Sequence, residues 1–394
     1  MRWMLCSLAV CVLAALPAFC APGDAARAYV GQLLDCLEAG ERGLPQVTGA
    51  AETVAERLAA GGKLWLAGSY EGFVIEAYYR AGGMMNATRL KSADEPANGD
   101  VVLVGAIVPG HAADAQTLAA ARNAGALAVL LAPEDLPGPH MYLSPHAPSG
   151  ATAGGVPLVS PALTVKLWTF TGELVGALTR LGKMPPMFQS VVVPGGRERN
   201  EAHLGLAWEP ETVPPVAAGE LGGRYLTGLR SRLEKLRDTQ MPLFGEAGRL
   251  AAQTLATGHT VWYVGVGHLP PYEPGQPGDP DLTAAMPNGI EADKAAEKVS
   301  AGDLVLYVGY YEPFGPWVEA IHGAGARIVT VLSGTPQRPA AEMGADINID
   351  GCWPYGDALV QVPGYDVDIL PPSGVVQAAA YWMLVAQIAA ARGD

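Results

Sequence analysis

Two stretches of this chain, about two hundred residues apart, share one layout, and that repeat limits the fold more than any single motif does. In the first, Asn98-Gly99-Asp100 leads into VVLVG, then a polar helical stretch, then Arg122-Asn123-Ala124-Gly125-Ala126 and a second apolar run, LAVLLAP. In the second, Ala301-Gly302-Asp303 leads into LVLYVG, a helical stretch, His322-Gly323-Ala324-Gly325-Ala326 and RIVTVLSG. The two aspartates are 303 − 100 = 203 residues apart. Upstream, KLWLAGS and TVWYVGVG form a further pair, whose tryptophans Trp65 and Trp262 are 262 − 65 = 197 apart. Two copies this long are a duplicated domain, not a solenoid.

Each copy opens with apolar residues at three-to-four spacing, as in YVGQLLDCLEAGERGL and YLTGLRSRLEKLRDTQMPLF, the signature of amphipathic helices. Short β-rich runs then alternate with helical ones. In the first copy they are KLWLAG, VVLVGAIV, ALAVLLA and VPLVS, with helices over Phe73–Ala81, Ala112–Ala124 and Leu163–Leu181 between or after them. In the second they are TVWYVGVG, DLVLYVGYY, RIVTVLSG, ADINID and a candidate in ALVQV, closed by a helix over Val375–Ala391. Alternation of this kind implies parallel sheets with right-handed crossovers. The expected fold class is α/β: two tandem three-layer αβα sandwiches of flavodoxin or Rossmann type, forming a pseudo-dimer within one chain. Residues 192–220, aperiodic and rich in Pro and Gly, are the expected linker between a first domain at 26–191 and a second at 221–394.

Residues 1–20 have the form of an export signal: Arg2, the apolar core LCSLAVCVLAALPAF, and Ala18-Phe19-Cys20 as a small-x-small cleavage site. A periplasmic or secreted location follows as an expectation, with no stable membrane insertion once the signal is cleaved. The mature chain then keeps Cys36 and Cys352, too few for a disulfide scaffold, leaving either one bridge or two buried thiols. The formal net charge of −14 argues against nucleic acid as a partner. The closing helix, VVQAAAYWMLVAQIAAA, is apolar enough to raise a membrane question, but it is short and carries Gln377 and Gln387, so a buried helix is expected.

Helices first, then a GxG-type strand end, then GD-strand, helix and AGA-strand, twice over, resembles the sugar isomerase (SIS) domain family. Three segments resemble a phosphosugar-isomerase-like SIS subfamily in particular. They are Glu76-Ala77-Tyr78-Tyr79-Arg80-Ala81-Gly82-Gly83-Met84, the Gly265-Val266-Gly267-His268 loop, and Ala345-Asp346-Ile347-Asn348-Ile349-Asp350 with Pro354-Tyr355-Gly356-Asp357-Ala358. The pieces are divided between the copies. The first keeps the RAGG helix end but has Ser69-Tyr70 where Gly-His is expected. The second keeps Gly267-His268 and the GDA segment but has LPPYEPGQPGDPDLTAAMPNG in place of the RAGG region. SIS domains commonly pair to share a ligand site, so the resemblance implies a composite site between the copies.

The resemblance also implies a Ser/Thr-rich loop after the GD-strand, where hydroxyls and backbone N–H groups hold a sugar phosphate. Here those loops read Gly105-Ala106-Ile107-Val108-Pro109-Gly110-His111 and Gly309-Tyr310-Tyr311-Glu312-Pro313-Phe314-Gly315. Neither has a hydroxyl of Ser or Thr, and Glu312 repels phosphate, so an uncharged or amino sugar fits better. Tyr310, Tyr311, Phe314 and Trp317 offer an aromatic face for a pyranose, or pack the interface between copies. Aldose–ketose isomerisation needs an acid/base near neutral pH. Candidates at strand ends, where doubly wound sheets bind ligands, are Glu71, His268 and Glu312. Ligand contacts are expected from Gly68, Ser69, Arg80, His111, Gly267, Tyr310, Tyr311 and Asp357.

Simpler roles compete for several of these residues. Glu76 and Arg80, one turn apart, suit an i,i+4 ion pair, Asp357 suits a cap, and His111 suits plain surface. His268, Glu273, Asp279 and Asp281 share one Pro/Gly loop, where solvated carboxylates are a cheaper account than calcium. No metal, cofactor, nucleophile elbow or P-loop is expected. The sequence thus supports an exported tandem SIS-fold protein with a carbohydrate ligand, either an isomerase-type enzyme or a non-catalytic binding or sensing protein. It leaves a homodimer open.

Overall fold

A computed structural model describes residues 22–138, 140–148, 154–310 and 315–393. The proposed signal, like Tyr311, Glu312 and Phe314, lies outside the described residues.

The first copy builds a parallel sheet from β1 (Leu64–Ala67), β2 (Ala87–Arg89), β3 (Val101–Gly105), β4 (Leu127–Leu131) and β5 (Met141–Leu143), in the order β2-β1-β3-β4-β5. The second builds one from β6 (Val261–Gly265), β7 (Ala284–Ala285), β8 (Leu304–Val308), β9 (Arg327–Leu332) and β10 (Ile347–Asp350), in the order β7-β6-β8-β9-β10. Shifted by five, the two orders are identical. The repeated aspartates explain part of this. Asp100 accepts bonds from the Lys63 and Ala97 amides, both 2.9 Å, and from Trp65 Nε1 at 2.8 Å. Asp303 accepts the same three from Thr260, Ser300 and Trp262 Nε1, each at 2.9 Å. Each aspartate thereby ties the start of the central strand to its neighbour and fixes their register.

Around the sheets lie α1 (Asp24–Arg42), α2 (Leu44–Ala59), α3 (Glu71–Ala77), α4 (Ala112–Asn123), α5 (Val159–Arg180), α6 (Gly196–His203), α7 (Glu220–Thr239), α8 (Met241–Ala256), α9 (Ala292–Ala296), α10 (Gly315–Gly323) and α11 (Ser373–Arg392). Because strand side chains alternate between faces, each sheet packs on both sides. Outward, Trp65, Val102, Val104 and Leu130 meet Leu118 and Ala121 of α4. In the second copy Val264, Val305, Tyr307 and Ile328 meet Ala295 of α9 and Trp317 and Ile321 of α10. Inward, Leu66, Leu103, Val129, Tyr263, Leu306 and Val329 belong to one continuous core shared by α1, α2, α5, α7, α8 and α11. This is the expected αβα layering, with the inner helices common to both copies.

The inner helices cross over. α1 packs on α11 and α7 packs on α5, so the first helix of each copy covers the last helix of the other. α11 is buried from Ser373 to Ile388, which is the setting expected for its apolar sequence. Each large apolar side chain it buries contributes about 1.5–3 kcal/mol.

Several local expectations change. VPLVS is not a strand: Val159 and Ser160 open α5, and Pro161 sits in its first turn, where a missing N–H costs nothing. The fifth strand is instead the short edge MYL. ALVQV gives β11 (Val360–Gln361), but it pairs antiparallel with β12 (Asp368–Ile369), outside the main sheet. The α3 helix stops at Ala77, and Tyr79 has φ +54°. Residues 192–220 contain α6, which the lack of periodicity had hidden. Cys36 and Cys352 are free buried thiols, pushed up to about 11 and about 12 chiefly by burial.

Candidate functional site

The crossing helices bring three buried carboxylates to the junction between the copies. Glu76, near the end of α3, is fully buried; its Oε1 accepts from Trp168 Nε1 of α5 at 3.1 Å and from Arg80 Nε at 3.3 Å. This is the i,i+4 ion pair that the spacing suggested. Arg80 then reaches into the second copy. Its Nη2 lies 2.9 Å from Asp357 Oδ2 and donates to Ser373 Oγ at 2.5 Å. Its guanidinium lies over the Tyr310 ring, 5.6 Å from the centroid, and the Tyr310 hydroxyl donates to Asp357 Oδ2 at 2.7 Å. Asp357 also accepts the Ser373 N–H at 3.0 Å and the Ser373 hydroxyl at 2.8 Å. Asp357 is therefore a cap, as its turn context suggested, but of the distant helix α11 and while bridging the two copies.

One guanidinium faces two buried carboxylates here, which leaves a negative charge uncompensated. Burial pushes both Glu76 and Asp357 above the ordinary carboxylate range, with Arg80 acting against it. The two carboxylates in turn hold Arg80 charged. Glu76 Oε2 has no hydrogen-bond partner among the described residues, consistent with the upward direction. His268 stands beside this group. Its Nδ1 lies 3.1 Å from the Ile75 carbonyl, which can only accept, so Nδ1 carries the proton. Burial, with Arg80 adding to it, pushes the imidazole down to about 4.

The third carboxylate is Glu273, just after a 3-10 turn at Pro270–Tyr272. It is 273 − 76 = 197 residues from Glu76, the same offset as the strand tryptophans. Its Oε1 accepts from Tyr70 at 2.8 Å and Ser160 at 2.5 Å, both from the first copy, and its Oε2 accepts from Trp382 Nε1 of α11 at 2.5 Å. Gln276 donates to the Tyr70 hydroxyl at 3.0 Å. Burial pushes Glu273 up to about 7, opposed by these donors. A solvated loop carboxylate was expected at Glu273; it is wholly buried. The Pro/Gly surroundings hid it, although the 197-residue offset from Glu76 was there to be read.

At the carboxyl ends of β1 and β2 the first copy opens a cleft of about 220 Å³, lined by Gly68, Glu71, Arg89, Lys91, Ser92 and Thr117 among others. Glu71 opens α3 and pairs with Arg89, both partly exposed. Gly68 has φ +145°, and a Cβ there would collide with the Gly105 carbonyl, so only glycine allows β1 and β3 to approach at this point. Ser69 is committed elsewhere: its N–H and hydroxyl both donate to the buried Asp114 of α4, each at 2.6 Å. His111, partly exposed, has Nδ1 3.8 Å from Asp114.

The structure thus gathers Arg80, Asp357, Tyr310 and His268 at the junction, with the exposed Gly267 next in the chain. Gly68 and Glu71 lie in the cleft, next in sequence to Ser69, and His111 lies at the start of α4. Arg89, Trp168, Trp382 and Ser160 were not singled out from sequence.

No family model matches the chain, and no curated protein matches it. Among solved structures it matches a protein of Salmonella typhimurium LT2 provisionally named a sugar-binding protein, at 12% identity and TM-score 0.50, over 93% of this chain and 98% of that one. The fold is SIS-like. Glucosamine-6-phosphate deaminase of Thermotoga maritima (9% identity, 94% of each chain, TM-score 0.49) also matches. So does tagatose-6-phosphate ketose/aldose isomerase of Escherichia coli (11% identity, 95% of each chain, TM-score 0.45). These two are too distant to add support. At such identities the likeness is one of fold, and an SIS-like fold does not by itself assign an activity.

Proposed function

We propose that this chain is an exported, non-catalytic carbohydrate-binding protein of SIS-like fold, taking a sugar or sugar derivative in the cleft over β1 and β2. The observation that carries this reading is the partly exposed Glu71–Arg89 pair in that cleft, at the carboxyl ends of parallel strands, where open α/β sheets take ligands. A carboxylate that accepts and a guanidinium that donates, side by side, suit neighbouring sugar hydroxyls. The volume falls below the roughly 300–1,000 Å³ of pockets for drug-sized ligands, which favours a single ring.

An isomerase needs a second acid/base beside Glu71; among the described residues the cleft lining includes no histidine, and its other proton-transfer group is the exposed Lys91. His268 is neutral at pH 7 and bonded to the Ile75 carbonyl. Both points favour binding over turnover. The test is thermal unfolding of the mature chain with neutral sugars and sugar phosphates, followed by a turnover assay on every hit. A hundredfold excess of ligand over Kd stabilises by about 2.7 kcal/mol. The reading expects a rise for at least one sugar, lost in Glu71→Gln and Arg89→Ala, with no product formed. A rise unchanged in both variants would remove the cleft from the account. Turnover abolished by Glu71→Gln would replace binding with the isomerase reading. Export predicts a mature chain beginning at Ala21 outside the cytoplasm, readable by mass spectrometry of cell fractions; an intact Met1 inside would contradict it.

A further inference from the structure

A second cleft, of about 240 Å³, opens where the start of the linker meets the β11–β12 hairpin, lined among others by Gln189, Ser190, Tyr355, Gly356, Asp366 and Asp368. Neither the repeat nor the junction accounts for it. Ser190 is 97% buried, yet its hydroxyl has no hydrogen-bond partner among the described residues. The Gln189 side-chain amide and the Asp368 carboxylate also have none. Asp366 differs: Arg199 holds it through Nε at 2.7 Å and Nη2 at 2.8 Å. Arg199 is also 3.8 Å from Glu209, which His203 approaches at 2.9 Å. Among the described residues Asp368 has no ion-pair partner: Arg199 is committed to Asp366, and Arg224, which donates to the carbonyl of Gln361 across the hairpin from Asp368, pairs with Glu220.

We infer that this cleft is a second carbohydrate site, selective for a sugar that carries a protonated amine. The unpartnered hydroxyl and amide meet ring hydroxyls, the Tyr355 ring offers an apolar face to a pyranose, and Asp368 neutralises the ammonium group. A sugar phosphate is disfavoured, since Asp368 would repel it. The inference stands apart from the β1–β2 cleft, because none of its residues lines that one.

The test is calorimetric titration at pH 6.5 with glucosamine, N-acetylglucosamine and glucose on the full mature chain carrying Arg89→Ala, which disables the β1–β2 cleft, and on the same chain with Asp368→Asn or Ser190→Ala added. Glucosamine is expected to bind the Arg89→Ala chain, and to weaken at least tenfold when Asp368→Asn is added and several-fold when Ser190→Ala is added. The two uncharged sugars are expected to bind at least tenfold more weakly than glucosamine. Asp368 is exposed and unpaired, so its amide variant should keep the wild-type melting temperature. Absence of glucosamine binding to the Arg89→Ala chain would overturn the inference. So would equal binding of all three sugars there, or undiminished glucosamine binding when Asp368→Asn is added. Displacement of glucosamine by putrescine at equal affinity would also overturn it, since an amine alone would then suffice.

Discussion

Glu76 and Glu273 occupy the same place in the two copies, and each is buried against the tryptophan of its copy's last helix. What surrounds them differs. Glu76 has a guanidinium, which it shares with Asp357 of the other copy. Glu273 has no cation in contact among the described residues and is held by the neutral donors of Tyr70, Ser160 and Trp382. The duplication kept the geometry and let the charge chemistry diverge. Burying a carboxylate requires either a counter-charge or enough donors, and this chain uses each solution once. The contrast also separates structural from ligand-facing residues: the charged groups of both junction clusters are buried, while the Glu71–Arg89 pair stays in contact with solvent.

The largest effect should come from Arg80→Met, which leaves Glu76 and Asp357 buried without their cation. Loss of one partner of a buried pair costs about 3–5 kcal/mol, readable by urea unfolding at pH 7. A loss under about 1 kcal/mol would break the contrast, because the charged cluster would then matter no more than a surface pair.

The neutral-donor cluster should show itself in pH. Glu273 is pushed up to about 7 from an ordinary 4.5, so its protonated form is favoured in the folded state. Its stabilising contribution is complete below pH 4.5 and is lost as pH rises to about 7. At about 1.36 kcal/mol per tenfold change in proton affinity, the loss is on the order of 3 kcal/mol. Glu273→Gln stays neutral, so the stability of wild type minus variant should fall across that window and level off above it. A flat difference would contradict the assignment.

Counting back eight residues from each tryptophan sharpens the comparison: 168 − 8 gives Ser160 and 382 − 8 gives Gly374. Ser160 donates to Glu273, whereas a Cβ at Gly374 would collide with Glu76 Oε1. Gly374→Ala should therefore destabilise by about 1–3 kcal/mol through overpacking, and Ser160→Ala by about 1 kcal/mol through one lost donor. Reversal of that order would mean that the two positions are not equivalent. Smallest of all, Arg89→Ala in the open cleft should change stability by less than about 1 kcal/mol, while abolishing the rise in melting temperature given by neutral sugars.

Much of the fold was legible because the repeated aspartates and tryptophans have local work that sequence displays: Asp100 and Asp303 fasten the same strand starts. The helices crossing between copies were not legible, since apolar spacing says that α1 and α5 are buried but not against what. The junction was half legible. Arg80, His268 and Asp357 stood out through the family resemblance, but Glu273 did not, because in a loop of prolines and glycines nothing local reports burial. The edge strands β2, β5 and β7 were missed for a similar reason: two or three residues carry no period. VPLVS misled because β-branched residues favour strands only when a partner strand is available, and here they open a helix.

The claim on which the rest depends is that the copies are locked by direct coupling across the junction, and a double-mutant cycle between Arg80 of the first copy and Asp357 of the second tests it. With Arg80→Met, Asp357→Asn and the double variant measured by urea unfolding, the account predicts that the two losses fall short of adding by more than about 1 kcal/mol. Losses that add within the roughly 0.3–0.5 kcal/mol of independent sites would contradict it.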